Sequence, residues 1–512
     1  MMIPEKLIFD KETSVVELAG VLDQFVRDSA AVGRSLHDLE RGVLGIVLEL
    51  GRRCVDLFIR LQGNGDLGLT LATDEGKELH RSEEQVDRTI RTVFGVHTFS
   101  AYVYAPGPKK KIALRPINAR MSLPEGSYSY LLDEFSQYFC IEQAFDKARQ
   151  GIKKVLGQDI PVDSLERISR RVAPAAEVYL DNLAAPPSAE EGELLVLTAD
   201  GKGVPMLRRE LAKRPVFDES KRRGNRQMAT LACVYSVDRF ERTAEEVVAS
   251  LFREERDERE KHSCRPRPCH KRMVARFGRT YESDGETISV SSVGEAMTWG
   301  ACEVHKRLQV DQPLIRVCDA QECLWTIGDA CLAAENKEPV ETIDILDIIH
   351  VTKYVWLAAK AFCGANRKQA EAFARDRLLR ILQGDVRGVV FGLRQMTRKR
   401  RLRGQRLTDV AKACNYMQNN AERMHYDEYL AAGYPIASGV IEGACRHLVK
   451  DRMERSGMRW GTRGAESILT LRALHTSKLW DCFQRDRIAK DQARLHPHRQ
   501  HLESYSPPAL PI

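Results

Sequence analysis

The chain has 512 residues, of which 43% are hydrophobic and 29% charged, the balance of a soluble globular protein of about two to four domains. The 79 basic and 72 acidic residues leave a net charge of +7, mild for this length, so where the charge sits says more than its total. There is no run of about 18 apolar residues, and the opening MMIPEKLIFDKETSVVEL lacks the basic-then-apolar order of a secretory signal; the sequence predicts no membrane partner and a cytoplasmic location.

In chain order, Val15, Leu18, Leu22 and Phe25 recur on one face of a helix, and residues 44–61 continue the pattern. Residues 64–76 are turn-rich, and 88–120 alternate loosely in a β-like way. Residues 141–176 read as helix, Gly157-containing turn, helix, with Asp163 as N-cap and Glu166 three residues on. Arg167, Arg170 and Arg171 stud the second helix, as a groove-reading helix requires, although an ordinary helical hairpin has the same spacing. Residues 180–192 read as a linker. Buried strands are expected at 194–199, ending in Asp200 and a Gly-Lys-Gly turn, at 228–236, at 314–318, ending in Asp319, and at 340–346. Helices are expected at 243–262, 292–308 and 347–362, and through most of 367–432. The polar, Pro-bearing end from 485 reads as disordered.

Thirteen cysteines are scattered along the chain with no Cys-x-x-Cys pair. Cys264-x4-Cys269-His270 has no second pair at ligand spacing, so it reads as a basic loop and the thiols as reduced. Basic residues crowd 265–276, 398–406 and 446–463, and three such clusters in one chain are the electrostatic footprint of a polyanion binder.

Two strands that each end in an aspartate suggest a shared site, because open α/β sheets place their sites at strand carboxyl ends. Glu442 is a third candidate acid, on a helix for which Ser438 is the N-cap. Glu442, Arg446 and Lys450 recur every four residues, which suits a metal ligand beside a phosphate backbone and equally an exposed ion-paired helix. Phosphodiester cleavage needs an activated water and a stabilised leaving oxygen, which two Mg²⁺ ions about 4 Å apart supply through hard oxygen ligands. Without a cation, two carboxylates about 4 Å apart repel by roughly 4 kcal/mol at an effective dielectric of about 20. A converged acidic triad therefore implies a metal or a raised pKa.

The segments TADGKGVPM (198–206), RQMATLACVYSVD (226–238), RPRPCHKR (265–272), VCDAQECLW (317–325), DIIHVTKYVW (347–356) and GYPIASGVIEGACRHLVKDRMERSGMRWGTRGAE (433–466) resemble insertion-sequence DDE transposases of the Kra group. The resemblance implies an α/β, RNase H-like catalytic core, a mixed sheet with flanking helices, interrupted by a mainly helical insertion and preceded by a mainly helical N-terminal region. It divides the chain into an N-terminal DNA-end-binding region (1–180), a first part of the core (190–365), the insertion (366–432), a last part of the core with the Glu helix (433–484) and a tail (485–512). Asp200, Asp319 and Glu442 match the catalytic, metal-binding acids, with Mg²⁺ as cofactor and Mn²⁺ able to substitute. Arg446, Lys450, Arg452 and Arg455 would hold phosphates. Asp347-x-x-His350 resembles an element of related transposases in which His350 would contact DNA; an ordinary structural histidine fits as well. Ala320 stands where the family usually has Gly after the second acid, and residues 1–180 lack the paired cysteines of a zinc-bearing head. The implied partner is double-stranded DNA, both terminal repeats and target, bound by a homodimer or higher assembly. An RNase H-like nuclease and a catalytically inactive DNA-binding regulator are the alternatives.

Overall fold

The computed structural model describes residues 14–73, 77–212, 224–253, 265–283, 285–333, 340–502 and 505–507. The chain forms two compact units, one of residues 1–169 with 481–512, the other of residues 170–480.

The first unit opens on the helices Val15–Ala31, started by a Ser14/Glu17 capping box, and Leu36–Arg60. Short strands follow: β1 (Thr70–Ala72), β2 (Glu78–Arg81), β3 (Val86–Thr92), β4 (Gly95–Ala101) and β5 (Tyr104–Ala105), as a β1-β2-β5 sheet and a β3-β4 hairpin. The helices Tyr130–Glu142 and Phe145–Leu156 come next, and Gly157, at φ 66°, ends the latter in the left-handed conformation glycine tolerates. Ala148, Ile152, Ile160 and Leu165 share a core with Val93, Leu132 and Cys140, so the helix–turn–helix segment is anchored from its apolar side. The next helix, Val162–Asp181, begins one residue before the expected cap, which puts Asp163 inside its first turn, and it runs through Pro174. Arg167, Arg170 and Arg171 are exposed on it.

The expected disordered tail from 485 needs correction. Trp480–Leu495 is a helix and Arg499–Leu502 a 3-10 turn. Polar sequence there still carries anchors: Leu502 is buried beside Leu79, Tyr104 and Leu114, and the Tyr505 hydroxyl accepts from Gly65 N at 3.0 Å. Residues 503–504 and 508–512 lie outside the described residues.

In the second unit, β6 (Leu194–Pro205), β7 (Arg226–Val237) and β8 (Cys269–Arg276) precede a small hairpin of β9 (Arg279–Ser283) and β10 (Glu286–Val290), then β11 (Leu314–Cys318) and β12 (Thr342–Leu346). The main sheet has the order β12-β11-β6-β7-β8, with the first three strands parallel and β6, β7 and β8 antiparallel. Residues 194–199 are buried throughout, as in a strand covered on both faces. The helix Ser292–Arg307 packs on β6 and β7, and Thr462–Thr476 packs on β8. Charges inside the unit are paired: Arg307 makes a two-bond fork to Glu191 at 2.8 and 2.9 Å, and Arg316 on β11 grips Asp344 of β12 at 2.8 and 2.6 Å. Residues 366–432 fold as the helices Arg367–Leu382, Val386–Lys399, Gly404–Asn419 and Tyr426–Ala431, with a 3-10 turn at Ala421–Arg423.

The Gly-Lys-Gly stretch is a second correction. It is not a turn; β6 continues through it, paired with β7 as far as Pro205↔Arg226. The glycines serve the partner strand, since a Cβ at Gly203 would come within 3.1 Å of the Arg226 side chain. Residues 213–223 of the basic arm, and 254–264, which hold Cys264 and the end of the expected 243–262 helix, lie outside the described residues. No described helix is long and apolar enough to cross a membrane.

Candidate metal centre

β6 and β11 run parallel with Ala199 opposite Cys318, the last pair of that ladder. The next residue on each strand is an acid, Asp200 and Asp319. β11 stops there, while β6 goes on only with β7, so both carboxylates stand where the parallel part of the sheet ends. Thr198 pins the two strands with a 2.7 Å hydrogen bond from its hydroxyl to Val317 O.

Each acid is held by local bonds. Asp200 Oδ1 accepts from Gly201 N at 2.7 Å, and Oδ2 accepts from the Cys445 thiol at 3.2 Å. Asp319 Oδ1 accepts from Gln321 N at 2.8 Å, an Asx turn that opens into the Glu322–Ala333 helix. Burial, reinforced by the negative charges of Asp200 and Asp347, pushes the Asp319 carboxyl above its ordinary range, against the Gln321 N–H and His350. The Cys445 thiol is pushed up by burial and by its bond to Asp200, so it stays a protonated donor.

The third acid arrives from a different element. Asp347 follows β12 directly and caps the Ile348–Cys363 helix, on whose first turn lies His350. His350 Nδ1 is 3.9 Å from Asp319 Oδ2, and its Nε2 is 4.0 Å from Glu442 Oε1. Lys353, one turn on, has Nζ 3.6 Å from Glu442 Oε1. Glu442 sits on the short Gly439–Ala444 helix. Ligand atoms of Asp347, His350 and Glu442 lie within 4.8 Å of one another, a group able to hold a metal ion. That set shares Glu442 with the expected acids but has Asp347 and His350 in place of Asp200 and Asp319. Asp200 and Asp319 adjoin it, Asp319 through His350 and Asp200 through its repulsion of Asp319.

The four-residue spacing of Glu442, Arg446 and Lys450 does not give one continuous face. After Ala444 the chain widens into a π-turn, Cys445–Lys450, which rotates everything beyond it. That widening faces buried Cys445, Leu448 and Val449 inward and leaves Arg446 and Lys450 exposed. Arg455 is also exposed. Arg452 is a correction: its side chain is fully buried, its guanidinium 4.8 Å from the Trp460 ring centroid, with Nη1 donating to Met458 Sδ at 3.5 Å. Such a group supports the fold and cannot grip a backbone phosphate from there. Trp460 is itself core, its Nε1 donating to Met453 O at 3.0 Å. Ser438 stands at the expected N-cap position but does not cap; its hydroxyl donates to Asp347.

Three residues of the centre carry no signal of their own in the sequence. Cys445 is found only from its i+3 position relative to Glu442. Lys353 is found from its i+3 position relative to His350. Tyr416 belongs to the helical stretch 366–432, where nothing marks it; its ring stacks on Tyr354 at 3.7 Å, with the hydroxyl buried near Asp319 and Asp347.

Neither family models nor curated proteins give a match to this sequence.

Proposed function

We propose that this chain is the DDE transposase of an insertion sequence, with an RNase H-like core that cuts and joins DNA strands at the element ends. One observation carries the reading: two parallel strands in register deliver Asp200 and Asp319 side by side, and a helix from late in the chain brings Glu442 to the same strand ends through His350. The sheet order, with three parallel strands continued on one side by β7 and β8, each antiparallel to its neighbour, supports that reading.

The donor set fits Mg²⁺. Three partly buried carboxylates offer hard oxygens, and the upward push on Asp319, from burial first and from the charges of Asp200 and Asp347 second, is a cost that a cation would offset. Asp200, Asp319 and Glu442 would hold the ions; when bound, these supply an activated water and charge neutralisation at the leaving oxygen. The chain's own residues do the rest. Gly201 N and the Cys445 thiol orient Asp200, and Gln321 N orients Asp319. Lys353 balances the charge of Glu442, and the His350 ring lies between Glu442 and Asp319. Arg446, Lys450 and Arg455 would hold phosphates, which positions DNA without reading its sequence. The exposed Arg167, Arg170 and Arg171 would meet the element ends. Two ends must be processed together, so the working form is a dimer or larger assembly on DNA.

The test uses the purified chain with a plasmid carrying its gene's flanking DNA, scoring strand cleavage and strand transfer with Mg²⁺, with EDTA, and for Asp319→Asn. The expected result is metal-dependent cuts and joined products, both lost in the variant. Cuts without joined products would indicate a nuclease of the same core. DNA binding with no cleavage in any metal would leave only a regulator.

A further inference from the structure

We propose that Asp347 is a positioning residue, not a ligand: by its backbone N–H, its helix cap and a hydroxyl bridge from Ser438 it locks the Asp319 strand end, the His350 helix and the Glu442 helix into one arrangement. The inference rests on the metal-dependent reading of the centre and deepens it.

Asp347 is fully buried, with no solvent to satisfy its carboxylate. Its bonds account for both oxygens. Oδ1 accepts from Ile349 N at 2.9 Å, the cap of the helix that carries His350, and from Ser438 N at 3.3 Å. Oδ2 accepts the Ser438 hydroxyl. Its own N–H donates to Cys318 O at 2.9 Å, the residue just before Asp319. Ser438 in turn accepts from Glu442 N at 2.9 Å through its carbonyl, and Ile348 N donates to Ile436 O at 3.0 Å alongside. Three elements distant in sequence thus meet at one residue, the strand end through its backbone N–H and the two helices through its carboxylate, and each carries a group of the centre.

Ser438 is the informative partner. At a helix N-cap its hydroxyl would ordinarily accept from a backbone N–H of its own helix, and here it does not. It is turned to Asp347 and is itself buried. A cation ligand needs a free lone pair facing the ion, whereas Asp347 already accepts three hydrogen bonds, two on the Oδ1 that caps the helix, which leaves one lone pair on the Oδ2 that the serine hydroxyl uses. Although its nearest oxygen falls within reach of the same ion as His350 and Glu442, an ion there would compete with the Ser438 hydroxyl for that oxygen and weaken the bridge that holds the Glu442 helix.

The two roles make opposite predictions. Asparagine at 347 removes the charge but keeps the bridge: its oxygen accepts from Ile349 N and Ser438 N, and its amide donates to the serine hydroxyl. Mn²⁺ binding to the full-length chain, without DNA, is measured by titration calorimetry for wild type, Asp347→Asn, Ser438→Ala, Ser438→Thr and Glu442→Gln, with melting curves in EDTA to confirm folding. The expected order is Asp347→Asn close to wild type, Ser438→Ala weaker by about 10-fold with a lowered but still cooperative melt, Ser438→Thr recovering most of both losses, and Glu442→Gln the weakest. Asp347→Asn falling as far as Glu442→Gln would make Asp347 a ligand and overturn the proposal. So would Ser438→Ala binding like wild type, or a wild-type chain that takes no Mn²⁺. The expected order in a chain that never cuts DNA would leave the lock standing and remove the transposase reading.

Discussion

Asp319 shows how a site residue can work against the fold that holds it. Its carboxyl is three-quarters buried, and burial together with Asp200 and Asp347 raises its pKa above the usual carboxylate range. The sign follows directly. The native state binds the proton more tightly than the unfolded chain, so stability without metal is greatest below the ordinary carboxylate pKa and falls as pH rises through the raised value. At neutral pH the ionised group is therefore a net cost. Asp319→Asn should raise the melting temperature of the EDTA-treated chain at pH 7, and the gain should vanish at low pH, where the wild-type carboxyl is protonated. Added Mn²⁺ should reverse the ranking, stabilising wild type and not the variant. A variant that melts below wild type in EDTA at pH 7 would contradict this account of the charge.

At the scale of elements, the parallel strands were legible because their burial is continuous: LLVLTA and LIRVC are apolar runs that stop at an acid, and the stop marks the end of the shared ladder. The arm beyond Asp200 was not legible, because Gly-Lys-Gly is turn chemistry unless a partner strand lays its side chains across it, as Arg226 and Met228 do. The π-turn after Ala444 was equally hidden; no local signal distinguishes it from the four-residue spacing of Glu442, Arg446 and Lys450. Arg452 misled for a related reason, since a basic cluster on paper contains one arginine that points inward. Arg316 makes the same point from the stable side. It is a charge in the middle of an apolar strand, and it is tolerated because its Cα partner across the ladder is Asp344 and because Asp329 lies 2.6 Å away. Arg316→Met should destabilise the sheet-bearing unit by about 3 kcal/mol, the low end for breaking a buried pair, because Asp329 is largely in water and Arg423 remains 3.8 Å from Asp344. Replacing Asp344 by Leu in the same chain should recover much of the loss, since the uncompensated carboxylate is then gone. Urea unfolding of the single and double variants measures both effects, and additive losses would refute the pairing argument.

For the whole molecule, the C-terminal segment is where the structure departs furthest from the sequence pattern. Composition makes residues 485–512 read as disordered, yet the described residues among them belong with the N-terminal unit. The Tyr130 hydroxyl donates to Asp491 Oδ2 at 2.7 Å, Arg487 lies 3.4 Å from buried Asp133, His496 Nε2 meets Leu123 O at 2.8 Å, and Leu502 fills the core beside Tyr104. None of these contacts is visible locally, because each joins positions several hundred residues apart, and a polar segment with a few well-placed anchors has the composition of a loose end. The consequence is testable without any DNA. Deleting residues 481–512 should leave residues 170–480 folded, since their sheet and core are their own, but should expose the N-terminal unit to proteolysis between residues 60 and 130, where the lost contacts fall. Leu502→Ala is the milder form, expected to cost that unit about 2–3 kcal/mol through the cavity it opens. His496 adds a pH signature to the same contacts. Burial lowers its pKa, with the Leu123 carbonyl opposing, so the fold favours the neutral ring and the unfolded chain binds the extra proton first. The unit should then lose stability as pH falls below about 6.5, the ordinary histidine value, and His496→Gln should flatten that dependence while leaving stability at pH 8 nearly unchanged. Limited proteolysis of the intact chain from pH 8 to pH 5.5 reads this directly, and equal protection of residues 60–130 in the full-length and truncated chains would mean that the C-terminal segment only rests on the unit it was expected to hold together.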